Sequence, residues 1–202
     1  GGRLHFLNIT TKEALDIISK AKKNGLNVTC STSPQYFILN EDAVDQWKTF
    51  AKLMPPLRSE DDRNYIFNSI NNINVITSHH SPQDQDSKRV PFEMAEFGII
   101  GMETLLPLCL KLYFDGNMKL IDVIDKITYQ PAKLLNLKSG RLKKDAPADI
   151  CIFDQNYSNK ISIDMMKSKS KNSLFDDYEV KGKVMATIID GRIMYMSAKM
   201  KT

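Results

Sequence analysis

The chain has 202 residues, 42% of them hydrophobic and 26% charged, with a formal net charge of +4. That composition belongs to an ordinary globular protein and excludes a disordered chain, a collagen-like repeat and a disulfide scaffold. There is no run of about 18 apolar residues and no basic, apolar leader pattern, so neither a membrane span nor secretion is expected.

Arg3 to Ile9 reads as a strand with Leu4, Phe6 and Asn8 on one face and His5 and Leu7 on the other. Thr10 stands three residues before Glu13, a capping-box spacing, and opens a helix with Ala14, Leu15, Ile17, Ile18 and Ala21 at helical intervals. Gly25 stops that helix, and Leu26 to Thr32 follows as a second strand. Short loops in this β-α-β unit favour parallel strands joined by a right-handed crossover. The pattern then predicts a helix over about 41–54, ended by Pro55-Pro56, a helix over 59–70, and a strand over 73–77 that runs into Ser78-His79-His80-Ser81. A polar loop covers 83–89. Apolar helices cover 102–114 and 120–128, and Pro131 opens a short helix ending near Leu137. From Gly140 the pattern turns strand-like, and 182–196 reads as a hairpin around Asp190-Gly191. The lysine- and serine-rich stretch 158–172 reads as a solvated loop. No internal repeat is evident.

Cys30, Cys109 and Cys151 are single and odd in number, which fits a reducing compartment and a cytoplasmic location. Cys30 is expected to be a buried small hydrophobe. The basic residues form no stripe interleaved with aromatics, so no nucleic-acid partner is expected. Arg58 and Arg63 are expected to pair near Glu60-Asp61-Asp62, Gly98 and Gly101 to form a turn, and Lys167, Lys169 and Lys171 to be solvated. The alternating part supplies three or four β/α units, whereas a closed barrel needs about eight.

Several segments resemble class I dihydroorotases of the cyclic amidohydrolase superfamily. Leu4-His5-Phe6-Leu7-Asn8-Ile9-Thr10-Thr11 resembles a strand-end motif of that family. Met54-Pro55-Pro56-Leu57-Arg58 resembles its Asn-Pro-Pro-Leu-Arg segment. Ser78-His79-His80-Ser81-Pro82-Gln83 stands where the family has Thr-Asp-His-Ala-Pro-His. Phe97-Gly98-Ile99-Ile100-Gly101-Met102-Glu103-Thr104 resembles Phe-Gly-Ile-Pro-Gly-Leu-Glu-Thr, and Gln130-Pro131-Ala132-Lys133 and Ala148-Asp149-Ile150 continue the likeness. The resemblance implies an α/β fold: 1–138 as the C-terminal portion of a metal-dependent (β/α) barrel, and 139–202 as part of a small β domain. It also implies an N-terminal portion, since the family's His-x-His metal motif is not among these residues.

In that family a metal-bound hydroxide attacks the ring amide and an aspartate serves as base and acid. Here the positions differ. A metal-ligand histidine is Asn8, and asparagine is a poor substitute for imidazole at zinc. The catalytic aspartate is His79, which can accept a proton but brings no negative charge. Met54 replaces a substrate-binding asparagine and Gln83 a substrate-binding histidine. His79 and His80, adjacent on an extended segment, are expected to diverge. The expectation is therefore no catalytic residue, no bound metal and no cofactor. The resemblance implies a non-catalytic homologue that assembles with aspartate carbamoyltransferase as an oligomer. The alternative is an active dihydroorotase or other cyclic amidohydrolase with an altered zinc site.

Overall fold

A computed structural model describes residues 1–200. The last two residues of the expected 139–202 segment lie outside the described residues. The chain forms two compact units. One comprises Gly1–Leu105 with Lys160–Tyr178; the other comprises Leu106–Asn159 and the chain from Glu179 onward.

The first unit is built on three parallel strands, β1 (Leu4–Phe6), β2 (Val28–Thr32) and β3 (Val75–Ile76), in the order β1-β2-β3. Leu4 faces Val28 and Phe6 faces Cys30; Ser31 faces Val75. Helix α1 (Lys12–Lys23) joins β1 to β2, as expected. Its N-cap is Thr11, whose hydroxyl accepts from the Ala14 N–H, and not Thr10. Thr10 is buried, and its hydroxyl accepts from Arg58 Nε. Leu15 and Ile18 are buried, whereas Ile17 faces solvent. Cys30 is fully buried, as expected of a small hydrophobe.

Strand β1 is shorter than expected, and the alternation stops before Asn8. That residue is left-handed, at φ 54°, so face parity does not fix where its side chain points. The expected helix over 41–54 is replaced by 3-10 turns at Glu41–Trp47 and Thr49–Ala51. The backbone breaks at Gln46 and Trp47, both with positive φ, and Trp47 stays exposed with its ring edge-on to Phe92.

A short helix α2 (Pro34–Ile38) starts directly after β2, with Pro34 at its first turn. Ser59 caps α3 (Glu60–Asn68), whose first turn carries Glu60, Asp61 and Asp62 against the positive helix end. Arg63 pairs with Glu60 at 2.6 Å, as expected; Arg58 instead reaches Thr10. Within the expected polar loop, Asp84 caps α4 (Gln85–Lys88). Lys88 is buried there, its ammonium donating to the carbonyls of Thr49, Lys52 and Glu96.

The stretch 160–178 is not a free solvated loop. Ile161, Ile163, Asn172, Ser173 and Phe175 are buried, and Lys171 Nζ donates to the carbonyls of Ile163, Asp164 and Met166.

In the second unit, helices α5 (Leu105–Phe114), α6 (Leu120–Ile127) and α7 (Tyr129–Leu134) fall close to their expected places. Leu108, Cys109 and Leu112 are buried, as their spacing predicts. Strand β4 (Ile150–Lys160) borders β5 (Glu179–Ile189), which forms an antiparallel hairpin with β6 (Arg192–Met196). The turn is Asp190-Gly191, both with positive φ, as a two-residue hairpin requires. No helix among the described residues is long and apolar enough to cross a membrane.

Candidate active site at the strand ends

In a parallel sheet the carboxyl ends of all strands lie on one side, so residues that follow them converge there. Here these are Asn8 after β1, Ser33, Gln35 and Tyr36 after β2, and Thr77, His79 and His80 after β3. Asn8 and His79 are both left-handed, at φ 54° and 46°. Asparagine and histidine tolerate that region better than most side chains, but each still carries a backbone cost of about 1–3 kcal/mol.

Asn8 Oδ1 lies 3.1 Å from Ser33 Oγ and 3.4 Å from Thr77 Oγ1, and the two hydroxyl oxygens lie 2.8 Å apart. Each hydroxyl has one proton. The shortest consistent relay runs from Thr77 to Ser33 and from Ser33 to Asn8. The Asn8 N–H also points to Ser31 Oγ at 3.4 Å. Asn8 thus ties the ends of three strands together.

His79 sits beside this cluster. Its Nδ1 lies 2.9 Å from Gln35 Nε2 and 3.2 Å from the Tyr36 hydroxyl. Tyr36 donates its one proton to the Pro55 carbonyl at 2.9 Å, which leaves the Gln35 amide as the donor to Nδ1. With the amide so placed, the His79 proton resides on Nε2. Burial lowers the His79 pKa below the ordinary 6.5, so the ring is neutral near pH 7. Burial also raises the Tyr36 phenol, with Arg58 opposing.

His80 takes a separate path. Its Nδ1 accepts from the Gly101 N–H at 3.2 Å, and its backbone bridges Ile99. The two histidines thus engage different partners, as expected. The cause differs from the expected one: the backbone at His79 is left-handed, not extended.

Met54 is 57% exposed, and only the neighbouring Pro55 carbonyl reaches the cluster through Tyr36. Gln83 spends its amide donors on the Phe97 carbonyl at 2.7 Å and on Ser81 Oγ at 3.3 Å. The structure therefore gathers Asn8 and His79 at adjoining strand ends and holds Gln83 in another set of bonds. Reading the sequence missed Ser33, Gln35, Tyr36 and Thr77. The available signal was Ser33-Pro34, a helix start placed immediately after a strand.

A zinc site needs imidazole, thiolate or carboxylate lone pairs aimed at one point. Here the Asn8 oxygen faces the Ser33 hydroxyl and His79 Nδ1 an amide. Among the described residues no three His, Cys, Asp or Glu side chains are grouped to hold a metal ion. These residues do not fit zinc; they fit a closed hydrogen-bond cluster.

Comparison with known proteins places this geometry. Residues 4–194 match the model of the amidohydrolase family. The chain is 45% identical over 193 residues to the dihydroorotase of Wolbachia sp. subsp. Drosophila simulans (strain wRi), covering 95% of this chain and 44% of that protein. It is 42% identical to the dihydroorotase of Syntrophotalea carbinolica, covering 96% of this chain and 46% of that one. The L-hydantoinase (dihydropyrimidinase) from Arthrobacter aurescens superposes with a TM-score of 0.91 at 25% identity, over 97% of this chain and 45% of its own. The dihydropyrimidinase from Brevibacillus agri shares the fold with a TM-score of 0.90 at 21% identity. The chain spans less than half the length of these relatives.

Proposed function

The chain belongs to the amidohydrolase family as a dihydroorotase-like member, part of the family's α/β barrel, and we propose that its protein is a non-catalytic homologue in pyrimidine biosynthesis. One observation carries this reading. At the position of a family metal ligand stands Asn8, whose oxygen accepts from Ser33; at the position of the catalytic aspartate stands His79, whose Nδ1 faces an amide. A carboxylate would orient a metal-bound hydroxide and then carry its proton. A neutral imidazole supplies no such charge. The cluster instead keeps three strand ends in place, which is what a scaffold requires.

On this proposal 1–138 is barrel and 139–202 is small β domain. Met54 and Gln83 make no substrate contact, no zinc is held at Asn8 and His79, and the protein works in the cytoplasm. Its partner is aspartate carbamoyltransferase, which it joins in an oligomer. The family resemblance supports that partner; the contacts within this chain do not bear on it.

A second reading is favoured by the His79 environment. A neutral ring with its proton on Nε2 can act in proton transfer, which suits an active dihydroorotase or other cyclic amidohydrolase with an altered site. One experiment separates the two. The full-length protein is assayed for zinc content and dihydroorotate hydrolysis beside His79→Ala, with and without added zinc. The first reading expects no stoichiometric metal and equal background rates. Turnover that falls in His79→Ala establishes the second. Co-elution with purified aspartate carbamoyltransferase in gel filtration tests the partnership, and two independent peaks refute it.

A further inference from the structure

We propose that Asn172 is a positioning residue that fixes the loop carrying His79, His80 and Gln83. It reaches that loop from 91 residues away in sequence, on the segment Lys160–Tyr178. The inference stands apart from the question of turnover.

The Asn172 side chain is buried, with 3% exposure. Its Nδ2 donates to the Ser81 and Gly98 carbonyls, each at 3.1 Å, and its Oδ1 accepts from the Gln83 N–H at 3.3 Å. Its own backbone carbonyl accepts from the Ile100 N–H at 2.9 Å. One side chain thus binds the 78–83 loop and the 97–101 loop at once. The job needs an amide of this length. Aspartate would set a carboxylate against two carbonyl oxygens, and leucine would leave both carbonyls and the Gln83 N–H without a partner.

Both sides of the contact are prepared for it. On the segment side, Lys171 ties three carbonyls, and Glu103 accepts from the N–H groups of Lys167 and Ser168 at 3.0 and 3.1 Å. Phe175 is buried with its ring edge-on to Tyr178. On the loop side the fit leaves no room for adjustment. A Cβ at Gly98 would lie 2.6 Å from the Ser81 carbonyl, and a Cβ at Gly101 only 2.2 Å from that of Ser78. The Ser81 N–H donates to Ile99, and the Gly101 N–H donates to His80 Nδ1. Releasing the amide at Asn172 leaves the Ser81 and Gly98 carbonyls without that donor and loosens the loop pair on which the His80–Gly101 bond depends.

Hydrogen exchange by mass spectrometry on the full-length protein tests this, with Asn172→Asp and Asn172→Ser beside the parent. Asn172→Asp is expected to speed exchange at least about tenfold in peptides covering 79–83 and 98–101, while α1 and the β5–β6 hairpin keep their parent rates. Asn172→Ser keeps one donor and is expected to fall between. The ring-nitrogen resonance of His80 Nδ1, assigned with His80→Gln, is expected to shift in both variants. Unchanged exchange in those peptides overturns the proposal. So does uniform acceleration across the chain, or an unmoved His80 signal. If Asn172→Asp does not fold, the same outcomes are read from Asn172→Ser.

Discussion

Gln35 and His79, 44 residues apart in sequence, meet at 2.9 Å between the amide nitrogen and Nδ1 of the ring. The contact places a donor on the ring lone pair, and it is burial that disfavours the protonated form. In the folded protein the ring therefore gives up its proton below 6.5, whereas the unfolded chain holds it to the ordinary value. Between those two values the unfolded state binds more protons, so this group makes stability rise with pH through that window and fall as the solution is acidified. Unfolding free energies of the parent and His79→Gln from about pH 5 to about pH 8 check the sign. The advantage of the parent over the variant should shrink on acidification; a constant difference would mean that the ring titrates as it does in water.

Asn8 has two roles that substitutions can separate. Asn8→Gly removes the oxygen that receives Ser33, an expected cost of about 1 kcal/mol, and relieves the left-handed backbone. Asn8→Ala removes the same oxygen and keeps a Cβ in left-handed backbone, which sets it about 1–2 kcal/mol below the glycine variant. Urea unfolding should rank glycine above alanine. Equal stability of the two variants would contradict a left-handed Asn8.

Two glycines should respond very differently to alanine. At Gly25, φ is 80° and the space around a Cβ is open, so the cost is the backbone alone, about 1 kcal/mol. At Gly101 the Cβ meets the Ser78 backbone, which cannot yield without moving the histidine loop. An overpacking cost of about 3 kcal/mol is expected there. Thermal melts of Gly25→Ala and Gly101→Ala test the order, and a smaller loss at Gly101 would refute the close approach.

The expectations met by the structure rest on short-range chemistry. Helix α1, the apolar helix α5, the Asp190-Gly191 hairpin and the parallel β1–β2 pair all follow from spacing and turn residues within a few positions. The family motifs led to Asn8 and His79, which do lie at adjoining strand ends. The misses arose where a distant partner overrode local preference. The cap falls to Thr11, and the Thr10 hydroxyl meets Arg58, 48 residues away, instead. Lys88, within the stretch read as a polar loop, and Lys171, read as solvated, are held by backbone carbonyls. Composition around them is polar, and nothing local shows that a lysine will satisfy three buried acceptors.

The amino-acid order alone fixed the periodicities, caps and turns, because those interactions reach only three or four residues along the chain. It also fixed which chemical groups stand where a hydrolase of this family would keep its ligands. The state of those groups was decided by the packed molecule. The Asn8 oxygen is spent on a hydroxyl 25 residues away, which itself accepts from one 44 residues further on, His79 on an amide 44 away, and Gln83 rests on Asn172, 89 away. Hydrogen bonds of this kind depend on which strands lie side by side, and that order is set by burying the core, not by neighbours in sequence.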